Sequence, residues 1–345
     1  MSSNDDNPFS QEAIQKILNA PPPQRSEEPG FYNPRYQDYY AFQDGEWKKA
    51  STTAGTNSSS RTVRVLSWNI DMLIPYGIPR MAAALNYLDS LVSEAPTQPT
   101  IILLQEMTKT DLTQIQEAAW VRERFYITDV DNKHWISPFY GTTTLIDRRL
   151  NIKQVFRIPF ISKFDRDGFF IDIRLAGSQD KVVRFCNAHL ESLVADPPVR
   201  PVQLADAAPY LHDTSVHAGL LAGDCNAIQP FDRTLHSENN LKDAYLELGG
   251  KEDSDDGYTW GHQVKKWMRE KFGPSRMDKV MYCGSMDAKS LKRIGIDVCV
   301  EDDGIREDMK RELEGDWVTD HYGLDAVMEL TGAEVEISAH EQHHL

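Results

Sequence analysis

The sequence contains no run of about 18 apolar residues, so no membrane-crossing helix is expected. Its first residues, Met1-Ser2-Ser3-Asn4-Asp5-Asp6, lack the basic-then-apolar order of a secretory leader, which predicts an intracellular protein, nuclear or cytoplasmic. Cysteine is scarce. Cys186, Cys225, Cys283 and Cys299 stand apart, without zinc-ligand spacing and too sparse for a disulfide framework. A basic surplus is also missing: 37 Lys and Arg against 53 Asp and Glu give a formal charge of −16. That balance argues against a general nucleic-acid coat protein, because phosphate binding normally needs a basic footprint. It leaves room for a groove with locally positive walls. What is present is 345 residues, 40% hydrophobic and 10% aromatic, enough for a large core in one or two domains.

Residues 1–61 differ in composition from the rest. Pro21-Pro22-Pro23 and the Ser/Thr-rich stretches predict a largely disordered tail, with residues 51–60 a flexible linker. Deleting residues 1–30 is expected to leave turnover nearly unchanged. Ile14, Ile17 and Leu18 have the spacing of one helical docking turn, against the plainer reading of an unstructured tail. Tyr36, Tyr39, Tyr40, Phe42 and Trp47 are too aromatic for pure disorder; they predict an arm or hairpin, about residues 31–50, packed on the core.

From residue 62 the pattern changes. Strand-like runs recur at 63–68, 101–104, 140–146, 152–157, 169–175, 182–186, 218–221, 279–283 and 325–330, with helical spacing over 80–92, 111–119 and 200–211. Many strands and few helices predict an α/β fold: two packed mixed β-sheets flanked by helices, over residues 62–331. Residues 332–345 read as a C-terminal tail.

Polar residues close several of these runs. Asp224 and Asn226 follow the apolar run ending at Gly223, and alternation puts both on one side of an extended chain. Asn69 with Asp71, Glu106, His189, and Asp320 with His321 end or precede other strands. Each has a plainer reading: Asp-x-Asn as a turn, Glu106 as a helix start, His189 as a core histidine, Asp71 as a loop cap, Asp320-His321 as a turn pair. Those readings do not explain five repeats in one chain. Acid, amide and imidazole groups without cysteine suit a hard divalent ion and a phosphate ester.

Trp68-Asn69, Leu104-Gln105-Glu106, His189-Leu190, Gly223-Asp224-Cys225-Asn226, Arg276-Met277-Asp278 and Thr319-Asp320-His321 follow the order of the endonuclease/exonuclease/phosphatase superfamily, which residues 62–330 resemble. Within it the chain is most similar to the 5′-tyrosyl-DNA phosphodiesterases, through Trp68-Asn69-Ile70-Asp71, His189-Leu190-Glu191-Ser192, Tyr258-Thr259-Trp260 and Asp320-His321-Tyr322-Gly323-Leu324. It departs from their pattern at Met72 (usually Gly), Cys225 (Thr), Leu193 (Thr) and Tyr322 (Trp).

The resemblance implies a four-layer α/β sandwich and Mg²⁺-dependent hydrolysis, with Mn²⁺ as a substitute. The implied substrate is a tyrosyl or peptide adduct on a DNA 5′ end, single-stranded or overhanging, released to leave a 5′-phosphate in the repair of topoisomerase-linked ends. It implies that Glu106 is the principal metal ligand, that Asp71 holds the ion directly or through water, and that Asp320 assists. Asn69 would order the metal–phosphate site and Asp224 would deprotonate the attacking water. Asn226, His189 and His321 would donate to phosphoryl oxygens, with Asp278 fixing the His321 ring. Trp260, Arg166, Ser192 and Arg276 would contact the nucleic acid. Residues 146–174 (net +3) and 262–280 (net +4) would form groove walls, while the acid-rich residues 301–320 would point away from DNA. The alternatives are an abasic endonuclease, an RNA deadenylase or a small-molecule phosphodiesterase of the same superfamily, or an interaction protein on this fold without catalysis.

Overall fold

The computed structural model describes residues 17, 19–51 and 58–338. The aromatic arm supplies β1 (Arg35–Gln37) and the hairpin of β2 (Tyr40–Gln43) and β3 (Glu46–Lys49). The hairpin turn is Asp44-Gly45, both at positive φ (53° and 86°), the geometry that suits the twist of paired strands. β4 (Ser58–Ser60) pairs with a C-terminal strand, Val335–Ile337, so the end of the Ser/Thr-rich tract and the segment after residue 332 both join the fold.

The body follows with β5 (Thr62–Asn69), β6 (Thr100–Met107), β7 (Phe125–Ile127), β8 (Gly141–Asp147), β9 (Ile152–Pro159) and β10 (Asp167–Arg174). It continues with β11 (Val182–His189), β12 (Val216–Asp224), β13 (Lys242–Asp243), β14 (Asp278–Gly284), β15 (Met286–Ile294), β16 (Gly323–Leu330) and β17, the Val335–Ile337 strand. The helices are α1 (Gly77–Glu94), α2 (Lys109–Glu117), α3 (Ala119–Arg124), α4 (Arg200–Leu211), the one-turn α5 (Leu235–Glu238) and α6 (Ala244–Glu247), α7 (Lys266–Phe272) and α8 (Asp303–Leu313). No described helix is long and apolar enough to cross a membrane.

A seven-stranded sheet runs β1-β9-β10-β11-β12-β14-β13, and an eight-stranded sheet runs β15-β16-β5-β6-β8-β7-β2-β3. Alternation sorts their side chains. Val63, Val65, Ile101 and Leu103 meet Phe169, Ile171, Phe185, Leu220 and Ala222 between the sheets. The intervening Leu66, Trp68, Ile102 and Leu104 pack on Met81, Leu85 and Leu88 of α1. On the far side, Cys186, Ala188 and Leu221 pack on Leu204, Ala207 and Leu211 of α4. The result is a four-layer α/β sandwich. Each fully buried aliphatic side chain contributes about 1.5–3 kcal/mol.

Each sheet has one parallel pair near its centre, β11 with β12 and β5 with β6. Parallel pairing brings C-terminal ends together, so His189 lies opposite Asp224 and Asn69 opposite Gln105. The neighbours β14 and β16 are antiparallel and therefore start at that same end, with Asp278 opposite Asp224. Six strand termini thus converge.

Beneath this end the apolar interlayer is crossed by amides. Gln105 Nε2 of one sheet donates to Asn187 Oδ1 of the other (2.8 Å) and to Ser67 Oγ (3.2 Å). Asn187 Nδ2 donates back across the layer to the carbonyls of Thr143 (3.0 Å) and Leu104 (3.2 Å).

Gly223 sets the approach of β12 to β11. At φ 147°, a Cβ here would stand 1.8 Å from the Ala188 carbonyl oxygen. Gly223→Ala is therefore expected to destabilise the protein by about 3 kcal/mol or more, through overpacking and backbone strain. Urea unfolding measures this; an unchanged midpoint and slope would show that the strands can part without cost.

Candidate active site

Parity along β6 would send Glu106 outward with Ile102 and Leu104. The pairing with β8 instead slips between Leu104 and Met107, and Glu106 adopts φ 60°. This bulge re-aims its carboxylate into the cavity, where Oε2 accepts the Met72 N–H at 3.0 Å. Asp71 (φ 49°) donates its own N–H to Asn69 Oδ1 (2.9 Å), and its Oδ1 accepts from Leu73 N (2.8 Å). Met72, in place of the glycine, needs no positive φ; that demand falls on Asp71.

Arg80 fixes this loop from α1. All five of its N–H groups donate to carbonyl oxygens, those of Ile70, Asp71, Ile74, Pro75 and Val318, at 2.6–3.0 Å. Sequence reasoning missed it. The signal was an arginine beside Met81 and Ala84 on the apolar face of a helix.

Asp224 is the centre of the polar group. Its Oδ2 accepts from Asn69 Nδ2 at 3.0 Å, and its Oδ1 accepts the Asn226 N–H at 2.8 Å. The Asp-x-Asn segment is thus a turn as well as part of the site, with Asn226 at φ 47° and its Nδ2 donating to the Leu190 carbonyl. His189 Nε2 stands 3.4 Å from Asp224 Oδ2 and 3.7 Å from Glu106 Oε1, buried and with no hydrogen-bond partner among the described residues. His321 Nε2 lies 3.8 Å from the same Asp224 oxygen.

The two imidazoles are in opposite states. Arg166 NH1 lies 2.8 Å from His189 Nδ1. A guanidinium only donates, so Nδ1 accepts and the proton of the neutral ring sits on Nε2, facing Asp224. Burial, then the charges of Arg166 and His321, hold His189 well below its ordinary pKa. For His321 burial also favours neutrality, but Asp278, Asp224 and Asp320 outweigh it and hold the ring charged well above the usual range. Its Nδ1 donates to Asp278 Oδ2 at 2.9 Å. Asp278 is placed by Thr259 Oγ1, which accepts its N–H, and the His321 N–H donates to Thr319 Oγ1, whose own hydroxyl donates to the Asn69 carbonyl. Both threonines stand in the motifs read from the sequence, but neither was given a role there.

A cavity of about 780 Å³ opens on this group. Asp71, Glu106, Asp224 and Asp320 line it with Arg166, Ser192, Asn226, Trp260 and His321; Asn69, His189 and Asp278 stand behind the lining. Arg166 NH2 donates to Ser192 Oγ at 2.8 Å. Trp260 is buried against Val264 and Met277, lines the cavity, and donates Nε1–H to Asp320 Oδ2 at 2.7 Å. It is both a core residue and a wall.

Arg276 is not brought here. Its buried guanidinium is held by Asp243 (2.8 Å) and Glu252, beside Lys279. Arg157, in the other basic stretch, is likewise buried between Asp129 and Asp167. The acid-rich 301–320 stretch divides: the acids of amphipathic α8 occupy its outer face, while Met309 and Leu313 of that helix, with Trp317, form part of the cavity wall. Cys225 packs in the α4 core, and burial pushes its thiol pKa up.

The donor set fits a divalent cation. Asp224, Asp278 and His321 each bring a ligand atom within 4.8 Å of the others, the only such trio among the described residues. His321 and Asp278 already satisfy each other there. Glu106, Asp71 and Asp320 do not close to that distance, but they face the cavity as hard oxygen donors. Burial and then the Asp71 charge raise the pKa of Glu106, and the same causes push Asp320 up to about 8. Asp320 Oδ1 has no hydrogen-bond partner among the described residues. Crowded, buried carboxylates of this kind are what a bound cation relieves.

The protonation assignment is measurable. At pH 7, ¹⁵N-detected imidazole spectra should place His189 as the neutral Nε2–H tautomer and His321 as the imidazolium. Asp278→Asn should lower the His321 pKa by a unit or more, about 1.4 kcal/mol per unit. A neutral His321 at pH 7, or a His189 protonated on Nδ1, would contradict this electrostatic picture.

The sequence signature of the Endonuclease/Exonuclease/phosphatase family matches residues 66–321. No curated protein matches the chain. Among solved structures, D. rerio TDP2 complexed with a single-strand DNA product has a TM-score of 0.58 at 17% identity, covering 78% of this chain and 99% of its own. Truncated Caenorhabditis elegans TDP2 gives 0.56 at 20% identity, covering 78% and 97%. An endonuclease/exonuclease/phosphatase from Beutenbergia cavernae gives 0.53 at 15%, covering 79% and 72%. At these identities the likeness concerns the fold. The sequence match, which spans most of the chain, is what decides the assignment: the protein belongs to the endonuclease/exonuclease/phosphatase family, with the site of a metal-dependent nuclease or phosphodiesterase.

Proposed function

We propose that the chain is a Mg²⁺-dependent phosphodiesterase, with Mn²⁺ able to substitute, that hydrolyses 5′-phosphotyrosyl bonds between a protein or peptide and a DNA end. One observation carries the reading. Asp224, tethered by Asn69, faces a neutral and a charged imidazole at the polar pole of a cavity whose other walls are mainly apolar and aromatic, with Lys163 and Lys265 among them. The polar pole suits a phosphoryl group, and the apolar walls suit an aromatic leaving group and a terminal base. D. rerio TDP2, of like fold, has been crystallised with single-strand DNA product, which supports a DNA end as substrate.

Asp224 takes the proton of the attacking water. The Nε2–H of His189 and the His321 imidazolium donate to the phosphoryl oxygens as charge builds, with Arg166 and Asp278 fixing the two rings. Glu106 and Asp71 would hold the cation, with Asp320 adjacent. When bound, the ion supplies positive charge that polarises the phosphoryl group. A tyrosyl phenol has a pKa near ~10, so its departure needs little help from an acid. Trp260 offers a face to the terminal base, and a nuclear or cytoplasmic setting fits such a substrate.

A small-molecule phosphodiesterase is the second reading. The internal pairing of Arg157, Arg276 and Lys279 favours it, since these bases are not available as walls of a DNA groove.

The first test is release of tyrosine from 5′-phosphotyrosyl single-stranded DNA, with and without Mg²⁺. Asp224→Asn should bind substrate but lose about 10²–10⁴-fold in single-turnover rate. A near wild-type rate in that variant would sink its role as base. Glu106→Gln should instead recover part of its activity as Mg²⁺ is raised. Trp260→Ala should raise KM for the oligonucleotide about 5- to 150-fold, and far less for a phenyl phosphodiester lacking a base. Equal losses on both, with a lowered Tm, would leave Trp260 a purely structural role.

A further inference from the structure

Ile17 is half-buried and lines the same cavity as Glu106, Asp224 and His321. Its neighbours Ile14 and Leu18 lie outside the described residues. The segment that follows is tied down along its return to the fold. Ala20 offers its carbonyl to Lys163 Nζ at 2.6 Å, and Lys163 itself is part of the cavity wall. Three prolines come next, stiffening the path. Arg25 then pairs with Asp206 of α4 and lies over the Tyr32 ring at 5.0 Å, while the Ser26 N–H donates to the Tyr32 hydroxyl at 2.9 Å. Ten residues on, β1 joins the edge of the seven-stranded sheet through its pairing with β9. The chain therefore runs from a sheet edge across α4 into the mouth of the cavity.

An aliphatic side chain has a reason to be there. Away from the carboxylates, the cavity presents Leu73, Met268, Leu313 and Trp317, a wall of aliphatic, thioether and aromatic side chains. We propose that this apolar wall is a peptide-binding surface and that its resident is the chain's own segment around Ile17, which a substrate has to displace. The arrangement makes the N-terminal segment a competitive occupant of the active site. It modifies the expectation that removing residues 1–30 leaves turnover nearly unchanged: kcat should hold, and the rate below saturation should rise. The inference needs only the cavity and does not depend on which phosphodiester is cleaved.

The test uses the full chain. Ile17→Asp should lower KM for bis(p-nitrophenyl) phosphate about 3- to 10-fold at unchanged kcat, as half a buried aliphatic side chain is removed from competition, while Ile17→Leu should behave as wild type. Independently of turnover, a fluorescein-labelled peptide of residues 10–25 should bind the Ile17→Asp protein saturably by anisotropy. The unlabelled peptide should displace it, and the same peptide carrying Ile17→Asp should not. An unchanged KM in the Ile17→Asp enzyme, or no saturable peptide binding, would overturn the proposal. Failure on phosphotyrosyl DNA alone would count against the proposed function and leave the peptide measurement readable.

Discussion

The position of the two sheets relative to one another depends on a pair of buried amides. Gln105 and Asn187 meet across a layer that is largely apolar around them, and between them they engage Ser67 and the carbonyls of Thr143 and Leu104; Arg157 makes a second polar crossing, to Thr142. Apolar contacts in that layer are not directional, so they allow one sheet to slide over the other. An amide pair is directional, and leaving either member unpaired costs about 1–3 kcal/mol. The pair lies one or two residues from Glu106 and His189. It therefore sets the register in which Asn69 and Glu106, from one sheet, meet Asp224 and His189, from the other.

Much of this was legible in the sequence because both sheets are covered on both faces. Strands such as 101–104 and 218–221 then read as plain apolar runs, and a polar residue at the end of such a run is conspicuous. Asn69, Glu106, His189, Asp224 and His321 all announced themselves in that way. What stayed hidden broke the same rule. β15 is an edge strand whose exposed face carries Lys289 and Lys292, and charge on an edge dilutes the period-2 signal. α8 reads as an acid-rich run, although Met309 and Leu313 give it an inner face. The bulge at Glu106 is a φ value, which no residue pattern in this stretch betrays.

Charge was the least legible property. Counting bases along 146–174 and 262–280 finds local positive stretches, but a linear count does not see partners from elsewhere in the chain. Arg157 is neutralised by Asp129 as well as by Asp167, and Arg276 with Lys279 by Asp243 and Glu252. The latter pairing is tight enough to hold Glu252 down to about 2, in spite of the burial that opposes it. By contrast Arg166, whose hydrogen-bond partners are a histidine ring and a hydroxyl, is not tied to a carboxylate, and its charge acts on Glu106 across the cavity. The electrostatic character of the site therefore comes from which cations lack carboxylate partners, and that is a property of the fold.

The cage that Arg80 builds around residues 70–75 has a consequence for time scales. A loop that carries a ligand group commonly has to close before the ligand is held, and such closures take microseconds to milliseconds. Here the backbone from Ile70 to Pro75 is already fixed by four hydrogen bonds from one buried side chain, whose fifth ties it to Val318. Arrival at Asp71 is then an encounter with a standing surface. No slow rearrangement of this loop stands in series with that encounter.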